Sequence, residues 1–220
     1  MKFFSARFII VAAAIATWES VMGQTTIPLV DIKTVDPTIV VELRYAGVNN
    51  FSGHALYPPR TTALVRPEVA PRLAAAQAFL RRYQYQLKIW DAYRPTSVQL
   101  RLWQLTHKTN YIADPGAGPG SMHSWGIAVD ATLADAENNT VNMPSDFDDF
   151  TPAAMLHYQG IDPVVRTHLH LLQRAMAGAG FLGQRTEWWH FTVADWQKYL
   201  SPERVKRTAQ AFGTRSQAKL

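Results

Sequence analysis

The chain has 220 residues, of which 47% are hydrophobic, so it is long enough to bury one sizeable core. Its formal net charge is +5 and it contains no cysteine, which excludes disulfides and thiolate metal ligands. Any metal ion must therefore be bound by His, Asp or Glu. The positive charge does not indicate nucleic-acid binding, because basic residues outside the C-terminal tail are scattered among acidic ones and no stacking motif accompanies them.

The first 23 residues are typical of a secretory signal peptide. Lys2 and Arg7 precede the apolar run IIVAAAIATW, and small residues before Gln24 suit a signal peptidase. We predict cleavage after Gly23 and an exported, periplasmic protein. A buried N-terminal helix or a membrane anchor is the alternative, although the run is short for a bilayer span. We expect no membrane span in the mature chain.

The next part of the chain predicts two strands and two helices. A strand from Thr38 leads into the long loop VNNFSGHALYPPR, and a helix begins near Pro67. The segment QLKIWDAYRP predicts a second strand, and a second helix covers residues 96–105. Alternation along that strand predicts a common face for Leu87, Ile89 and Asp91. Helical spacing predicts an apolar face formed by Val98, Leu102 and Leu105.

The second half continues with a strand over residues 126–132, helices over residues 152–158 and 163–176, and the aromatic strand TEWWHFTV. Strands and helices do not alternate regularly, which favours α+β over a doubly wound sheet. We therefore predict a single α+β domain over residues 24–200, with a central, mainly antiparallel sheet flanked by helices. A basic C-terminal helix or tail is predicted over residues 201–220.

The segment SMHSWGIAVD places two possible metal ligands, His123 and Asp130, at the start and end of a predicted core strand. Burying an ionised carboxylate without a partner costs several kcal/mol, so Asp130 requires a cation, a hydrogen-bond cluster or a raised pKa. On a strand, Gly126 and Ala128 share its face and leave space above it. Gly126 would also allow the chain to bring His123 back over that space.

The segment EWWHF supplies a third possible ligand, His190, and a carboxylate three residues earlier, Glu187. A catalytic zinc typically takes three protein ligands and keeps one position for water. His123, Asp130 and His190 give that number, which predicts one Zn²⁺ per chain with Glu187 as the general base. Each residue alone is more often structural. On an ideal strand Glu187 and His190 also point to opposite faces, so the strand must end or twist there.

The segment WDAYRP places Arg94 at the end of a predicted strand, before the start of a helix. A guanidinium in a cleft would stabilise a scissile carbonyl as it becomes an oxyanion. An isolated arginine is otherwise a surface or ion-pair residue.

Together, SMHSWGIAVDATL, EWWHF and DAYRP resemble the VanX-like zinc D-Ala-D-Ala dipeptidases. The patterns S-x-H-x-x-G-x-A-x-D and E-x-W-H are shared by the wider group of D-Ala-D-Ala metallopeptidases. Further matches are LRYAGVNNFSG and MPSDFDDFTP, so the resemblance covers about residues 40–193. It implies the same three zinc ligands, the same base and a transition-state role for Arg94.

The resemblance also implies an acidic residue beside the ammonium of a small dipeptide substrate. Asp148 is the candidate, with Asp146 and Asp149 as alternatives that would otherwise cap a helix. Trp188 and Trp189 would cap a small cavity, or belong to the core. The remaining candidates for substrate binding are Ser121 and Tyr45.

The predicted activity is hydrolysis of D-Ala-D-Ala to two D-alanines. A D,D-carboxypeptidase or an L-Ala-D-Glu-type endopeptidase acting on peptidoglycan stem peptides is the enzymatic alternative. A non-catalytic module that binds the cell wall is the alternative from another class. The best-known resistance dipeptidases are cytoplasmic, so export favours a role in wall turnover or nutrition. The sequence makes no prediction about oligomeric state.

Overall fold

The computed structural model describes residues 27–106 and 111–201. The predicted signal peptide and all but the first residue of the predicted tail lie outside this part of the chain, as do residues 24–26 and 107–110 of the proposed domain. The helices are α1 (Ile32–Val35), α2 (Ala70–Arg81), α3 (Thr96–Thr106) and α4 (Pro163–Gly178). The strands are β1 (Val30–Asp31), β2 (Val40–Val41), β3 (Leu64–Val65), β4 (Gln86–Asp91), β5 (Ala128–Ala134), β6 (Phe181–Gln184) and β7 (Glu187–Val193).

The main sheet has five strands in the order β2-β4-β5-β7-β6. Only the edge pair β2–β4 is parallel, and the other three pairs are antiparallel. A second sheet consists of the antiparallel pair β1–β3. The fold is therefore a single α+β domain with a mainly antiparallel central sheet, as predicted.

The longest helix, α4, follows from local sequence signals. Asp162 caps its first turn by accepting hydrogen bonds from the amides of Val164 and Val165, and Pro163 occupies the first turn. Its buried side chains recur at helical spacing, so one face packs against α2 and the sheet. These two helices cover one face of the sheet, which leaves the opposite face for polar side chains and the loops that contact them.

A bulge in β4 decides which side chains reach that opposite face. Ile89 pairs with Ala131 in β5. Asp91, however, pairs with Asp130, so Trp90 is an extra residue in β4. Because paired residues share a face, the bulge turns Asp91 onto the face that carries Asp130. The prediction that Asp91 shares a face with Ile89 is therefore wrong.

Gly126 belongs to a turn rather than to the strand that was predicted to contain it. It ends a 3₁₀ turn over Met122–Trp125 with φ of 68°, and β5 begins two residues later at Ala128. A Cβ on Gly126 would lie 2.8 Å from Leu29 Cδ2 and 3.3 Å from the Arg66 amide nitrogen. The position therefore requires glycine both for its left-handed backbone and for the close approach of neighbouring chain segments.

Three other local predictions differ from the structure. The strand from Thr38 is limited to Val40–Val41 and is followed by a 3₁₀ turn, Arg44–Ala46. The helix over residues 152–158 is only a 3₁₀ turn at Pro152–Ala154, because the chain becomes extended and the Leu156 amide donates to the Arg185 carbonyl oxygen. Leu105 is 51% exposed and does not belong to the buried face of α3.

Within residues 27–106 and 111–201, no helix combines the length and apolar character needed to cross a bilayer.

Candidate metal centre and active site

Three buried side chains converge on the polar face of the sheet. His123 Nε2 lies 3.3 Å from Asp130 Oδ1, His190 Nδ1 lies 3.0 Å from the same oxygen, and the two imidazole nitrogens are 3.1 Å apart. These three atoms form a nearly equilateral triangle and could hold one metal ion. Ligand atoms held roughly 2.0–2.2 Å from a tetrahedral zinc are about 3.3–3.6 Å apart, so the residues fit zinc with only a small expansion of the triangle.

The sheet register brings two of the ligands together. Asp130 of β5 and His190 of β7 are directly paired residues on neighbouring antiparallel strands, where side chains on one face are close. His123 comes from the 3₁₀ turn before β5, and the left-handed Gly126 directs the chain from that turn into the strand. The sequence prediction that these three residues form one cluster agrees with this geometry, although their role as zinc ligands stays a prediction.

Each histidine is oriented by a hydrogen bond on the ring nitrogen that faces away from the cluster. His123 Nδ1 donates to the Ala92 carbonyl oxygen at 2.8 Å, which leaves Nε2 facing the cluster. His190 Nε2 lies 3.1 Å from Thr192 Oγ1. Such contacts fix the ring orientation and the tautomer of a metal-binding imidazole.

The electrostatics of the cluster favour an ionised Asp130. Burial alone would raise the pKa of this carboxyl, but the charge and hydrogen bond of His123, followed by those of His190, hold it below its ordinary value. Burial also lowers the pKa of His190. One carboxylate and two imidazoles form a donor set that divalent zinc accepts.

Glu187 lies in the same buried region despite its distance from His190 along the strand. The pairing of β6 with β7 shifts between Gly183 and Gln184, so Gln184 pairs with Glu187 and residues 188–190 have no partner in β6. This irregularity removes the strict alternation that would place Glu187 on the opposite face from His190. Gln184 Nε2 donates to Glu187 Oε2 at 3.1 Å.

Burial and nearby charged groups shift the pKa of the Glu187 carboxyl. Burial raises this pKa well above its ordinary value, the negative charges of Asp130 and Asp148 raise it further, and Arg94 lowers it. The carboxyl is therefore within electrostatic range of one candidate zinc ligand, one candidate substrate-binding residue and the candidate oxyanion donor. A carboxylate with a raised pKa is a stronger proton acceptor than an exposed one.

Arg94 is 5% exposed, and a network that the sequence analysis missed holds its guanidinium. Its Nε and Nη2 donate to Asp91 Oδ2 at 2.9 and 2.6 Å, and Nη1 donates to Gln99 Oε1 at 2.8 Å. Nη2 is also 3.6 Å from Asp130 Oδ2. Within the described part of the chain, these donor bonds use three of five N–H groups and leave one on each terminal nitrogen.

Asp91 holds Arg94 in place, a role that the sequence motifs did not predict. Tyr57 Oη donates to Asp91 Oδ1, and the Ala92 amide donates to the same oxygen at 2.9 Å. Arg94 donates to the other carboxylate oxygen. Both oxygens of Asp91 are therefore hydrogen-bonded, which compensates for the complete burial of a side chain that is 0% exposed. The three-residue spacing of Asp91 and Arg94 in DAYR is a sequence signal that could have indicated the pair, but alternation along β4 assigns Asp91 to the wrong face.

Asp148 is held at the edge of the site by two other loop residues. Tyr45 Oη donates to its Oδ1 at 3.0 Å, and the Phe51 amide donates to its Oδ2 at 3.3 Å. Its φ is 59°, a left-handed conformation that is uncommon outside glycine and that Asp tolerates better than most residues. Burial raises the pKa of Asp148 to about 7, although both hydrogen bonds lower it.

The other acidic candidates of this segment have local roles. Asp149 Oδ1 accepts a hydrogen bond from the Thr151 amide at 3.0 Å. Asp146 Oδ1 accepts from the Phe147 amide at 2.7 Å and lies 3.6 Å from Arg44 Nη2. Neither caps a helix directly, because Thr151 itself caps the short 3₁₀ turn that follows.

The remaining predicted residues are buried beside the cluster. Ser121 is 7% exposed and precedes the 3₁₀ turn that carries His123. Trp188 and Trp189 are 0% and 1% exposed, and their rings pack together at 5.4 Å between centroids. Trp188 Nε1 donates to Ser145 Oγ at 3.0 Å. Both tryptophans belong to the aromatic core next to the site, and their contact with substrate stays a prediction, as does that of Ser121.

Comparisons with known proteins identify the family of this chain. A peptidase family model described as D-ala-D-ala dipeptidase matches residues 25–210. The D-alanyl-D-alanine dipeptidase of Escherichia coli is 34% identical over 178 residues, covering 81% of this chain and 90% of that protein. The enzyme of the same name from Enterococcus faecalis is 25% identical over 172 residues, covering 70% and 85%.

A solved structure of VanYB in complex with D-Ala-D-Ala has a TM-score of 0.42 and 15% identity, covering 65% of this chain and 78% of that one. The family match extends over more than half of the chain, and the Escherichia coli relative exceeds 30% identity over most of it. The chain therefore belongs to the D-Ala-D-Ala dipeptidase family of metallopeptidases.

Proposed function

We propose that this protein hydrolyses the dipeptide D-Ala-D-Ala to two D-alanines and that it binds one zinc ion for this purpose. The observation that carries the proposal is the buried triangle of His123, Asp130 and His190 with Glu187 in the same electrostatic cluster. A structural metal site needs no additional carboxylate. A zinc ion bound there would supply positive charge that acidifies water and polarises a carbonyl oxygen.

Glu187 is the general base of the proposed reaction. Its carboxylate takes a proton from the attacking water and gives that proton to the leaving amine, so one group serves both steps. Gln184 holds Oε2 at 3.1 Å, which limits the rotation of the carboxyl. The low dielectric of the buried site makes the proton transfer sensitive to the charges of Asp130 and Arg94.

Arg94 is the proposed donor to the oxyanion that forms as the carbonyl is attacked. Asp91 and Gln99 fix the plane of its guanidinium, so its unused N–H groups are oriented before the substrate binds. A donor of this kind contributes about 2.7–4 kcal/mol to the transition state.

Asp148 is the proposed partner of the substrate ammonium. A dipeptide presents its amino group only one residue from the scissile bond, so a carboxylate at the edge of the same small site would contact it directly. The hydrogen bonds from Tyr45 and Phe51 hold Asp148 in position for that contact. A protein that binds a free ammonium in this way disfavours peptides that continue beyond it.

Metal content and D-alanine release test the proposal together. We expect roughly one zinc per chain and hydrolysis of D-Ala-D-Ala that stops on chelation and returns with zinc. Glu187→Gln should keep the zinc and lower kcat by about 10²–10⁴-fold. Glu68→Gln, at an exposed position, is the matched control and should behave as the wild type.

A comparison of substrates decides between the dipeptidase and the stem-peptide enzymes. Faster hydrolysis of a stem pentapeptide than of free D-Ala-D-Ala would contradict the dipeptidase and favour the D,D-carboxypeptidase or endopeptidase. Zinc without hydrolysis of either substrate would favour a wall-binding module.

We also propose that the mature protein acts outside the cytoplasm, after removal of residues 1–23. The basic and apolar character of that segment supports export. A fusion of these residues to a reporter should deliver it to the periplasm, and a reporter retained in the cytoplasm would contradict this proposal.

A further inference from the structure

Three aromatic side chains from three separate loops form a cluster next to Asp148, in which Phe150 contacts the other two. The rings of Phe51 and Phe150 have centroids 5.4 Å apart, and those of Phe150 and Tyr111 are 4.9 Å apart. All three side chains are only half-buried. We call this cluster the aromatic triad. Contacts at these distances connect three chain segments that lie outside the strands and helices of the described residues.

The aromatic triad is attached to Asp148 on two sides. The backbone amide of Phe51 donates to Asp148 Oδ2 at 3.3 Å, and Phe150 follows Asp148 by two residues. The other carboxylate oxygen accepts from Tyr45 Oη, whose ring lies against the guanidinium of Arg94 at 5.0 Å. A chain of contacts therefore leads from Arg94 through the Tyr45 ring and Asp148 to the backbone of Phe51.

The aromatic triad would limit the size of the group on the amino nitrogen of a substrate. If Arg94 marks the reacting carbonyl and Asp148 the ammonium, a substituent that extends from the amino nitrogen away from Arg94 would approach the loops that carry Phe51 and Phe150. The rings there are held by contacts with each other and by the hydrogen bond of the Phe51 backbone. Displacing them costs packing energy that an unsubstituted ammonium does not require.

We propose that Phe51, Tyr111 and Phe150 form a wall that excludes substrates carrying a substituent on the amino nitrogen. This inference rests on the proposed dipeptidase function and names the residues that restrict it to free dipeptides. The wall acts by shape and is independent of the charge selection by Asp148. A secondary ammonium keeps the positive charge but adds bulk, so it separates the two effects.

The test compares D-Ala-D-Ala with N-benzyl-D-Ala-D-Ala, which retains a protonated amine. The wild type should hydrolyse the first and discriminate strongly against the second. Phe150→Ala removes a ring of the size of the benzyl group and should raise the ratio of kcat/KM for the benzyl substrate over the free dipeptide by about tenfold or more. Phe79→Ala removes a ring from a different aromatic pair, Phe79–Tyr83, and should leave the ratio unchanged.

Thermal unfolding shows whether each variant is folded, and Phe51→Ala and Tyr111→Ala replace Phe150→Ala if that variant does not fold. A folded Phe150→Ala protein that hydrolyses D-Ala-D-Ala with an unchanged ratio would overturn the wall. So would a wild type that accepts both substrates equally. A wild type that binds zinc but hydrolyses neither substrate would instead contradict the proposed function on which the wall depends.

Discussion

The adjacent ends of β4 and β5 each bury an aspartate on the same face of the sheet, and the two carboxylates have different partners. Asp91 accepts hydrogen bonds from a tyrosine hydroxyl, a backbone amide and two nitrogens of Arg94. Asp130, its direct cross-strand partner, faces His123 and His190, and Arg94 is only at 3.6 Å. Both side chains are almost completely shielded from water.

Burial therefore does not distinguish the two aspartates, whereas the type of neighbouring group does. The donors around Asp91 satisfy its negative charge within the protein, so it positions Arg94. The neighbours of Asp130 are imidazoles that themselves have lone pairs to offer a cation. A bound metal ion would therefore stabilise the Asp130 carboxylate more than the Asp91 carboxylate.

Replacing Asp130 should have the largest effect. Asp130→Asn removes the negative charge from the ligand triangle, so zinc content should fall from about one per chain towards zero. Hydrolysis of D-Ala-D-Ala should fall by more than about 10⁴-fold, the upper range for loss of a general base alone. Metal analysis and kinetics on the same preparation measure both effects. Retention of stoichiometric zinc would contradict the assignment of Asp130 as a ligand.

Replacing Asp91 should have a different and smaller effect on activity. Asp91→Asn keeps the shape but leaves the buried Arg94 without its counter-charge, which should lower the free energy of unfolding by about 3 kcal/mol. Loss of orientation of the guanidinium should lower kcat by about 10²-fold, as when an oxyanion donor is removed. Zinc content should stay near one per chain. If Asp91→Asn lost its zinc as Asp130→Asn does, the two aspartates would not have separate roles.

A hydroxyl outside the triangle of candidate ligands should make a smaller contribution to zinc binding than the ligands themselves. Thr192→Val removes the oxygen 3.1 Å from His190 Nε2 and should weaken zinc binding by about 10–100-fold. Thr132 lies on the same face, and its buried hydroxyl makes no hydrogen bond within the described residues. Thr132→Val is therefore the matched control, and competition with a chelator should show unchanged zinc affinity for it. Equal loss in both variants would contradict a specific role for Thr192.

Replacing Asp195, an aspartate outside the site, should have the smallest effect. Asp195 is bonded by Arg72 at 2.9 Å and Lys198 at 3.1 Å, which lowers its pKa from 3.8 to about 2. Because its folded pKa is lowered, the stabilisation is present above pH 3.8 and is lost as the pH falls towards about 2. Urea unfolding of Asp195→Asn should differ from the wild type by less than about 1 kcal/mol near neutral pH and converge with it near pH 2. A difference that grew in acid would contradict this assignment.

Much of the cluster was predictable because the candidate ligands lie in short motifs with distinctive chemistry. A carboxylate in an otherwise apolar strand, a histidine just before that strand and a Glu–His pair in an aromatic strand together indicate a site even before folding. The helix from Pro163 was equally predictable, since Asp162, the proline and the apolar spacing are local signals.

The errors arose where a contact distant in sequence decided the local conformation. The helix over residues 152–158 was predicted from its composition, but the Leu156 backbone binds Arg185 and the chain becomes extended. The parity of β4 was predicted from alternation, but its bulge opposite β5 turns Asp91 to the other face. Neither the contact with Arg185 nor the pairing with β5 can be predicted from the sequence of the segment that it affects.

The sequence by itself determined the types of residue that could hold a metal ion, the class of fold and the position of the longest helix, because each depends on composition or on spacing within one element. Tertiary structure alone decided that Asp91 orients Arg94 while Asp130 completes the ligand triangle, because strand register and a one-residue bulge set those neighbours. It also brought Phe51, Tyr111 and Phe150 together from three loops, since ring contacts across long sequence separations leave no periodic signal in the chain.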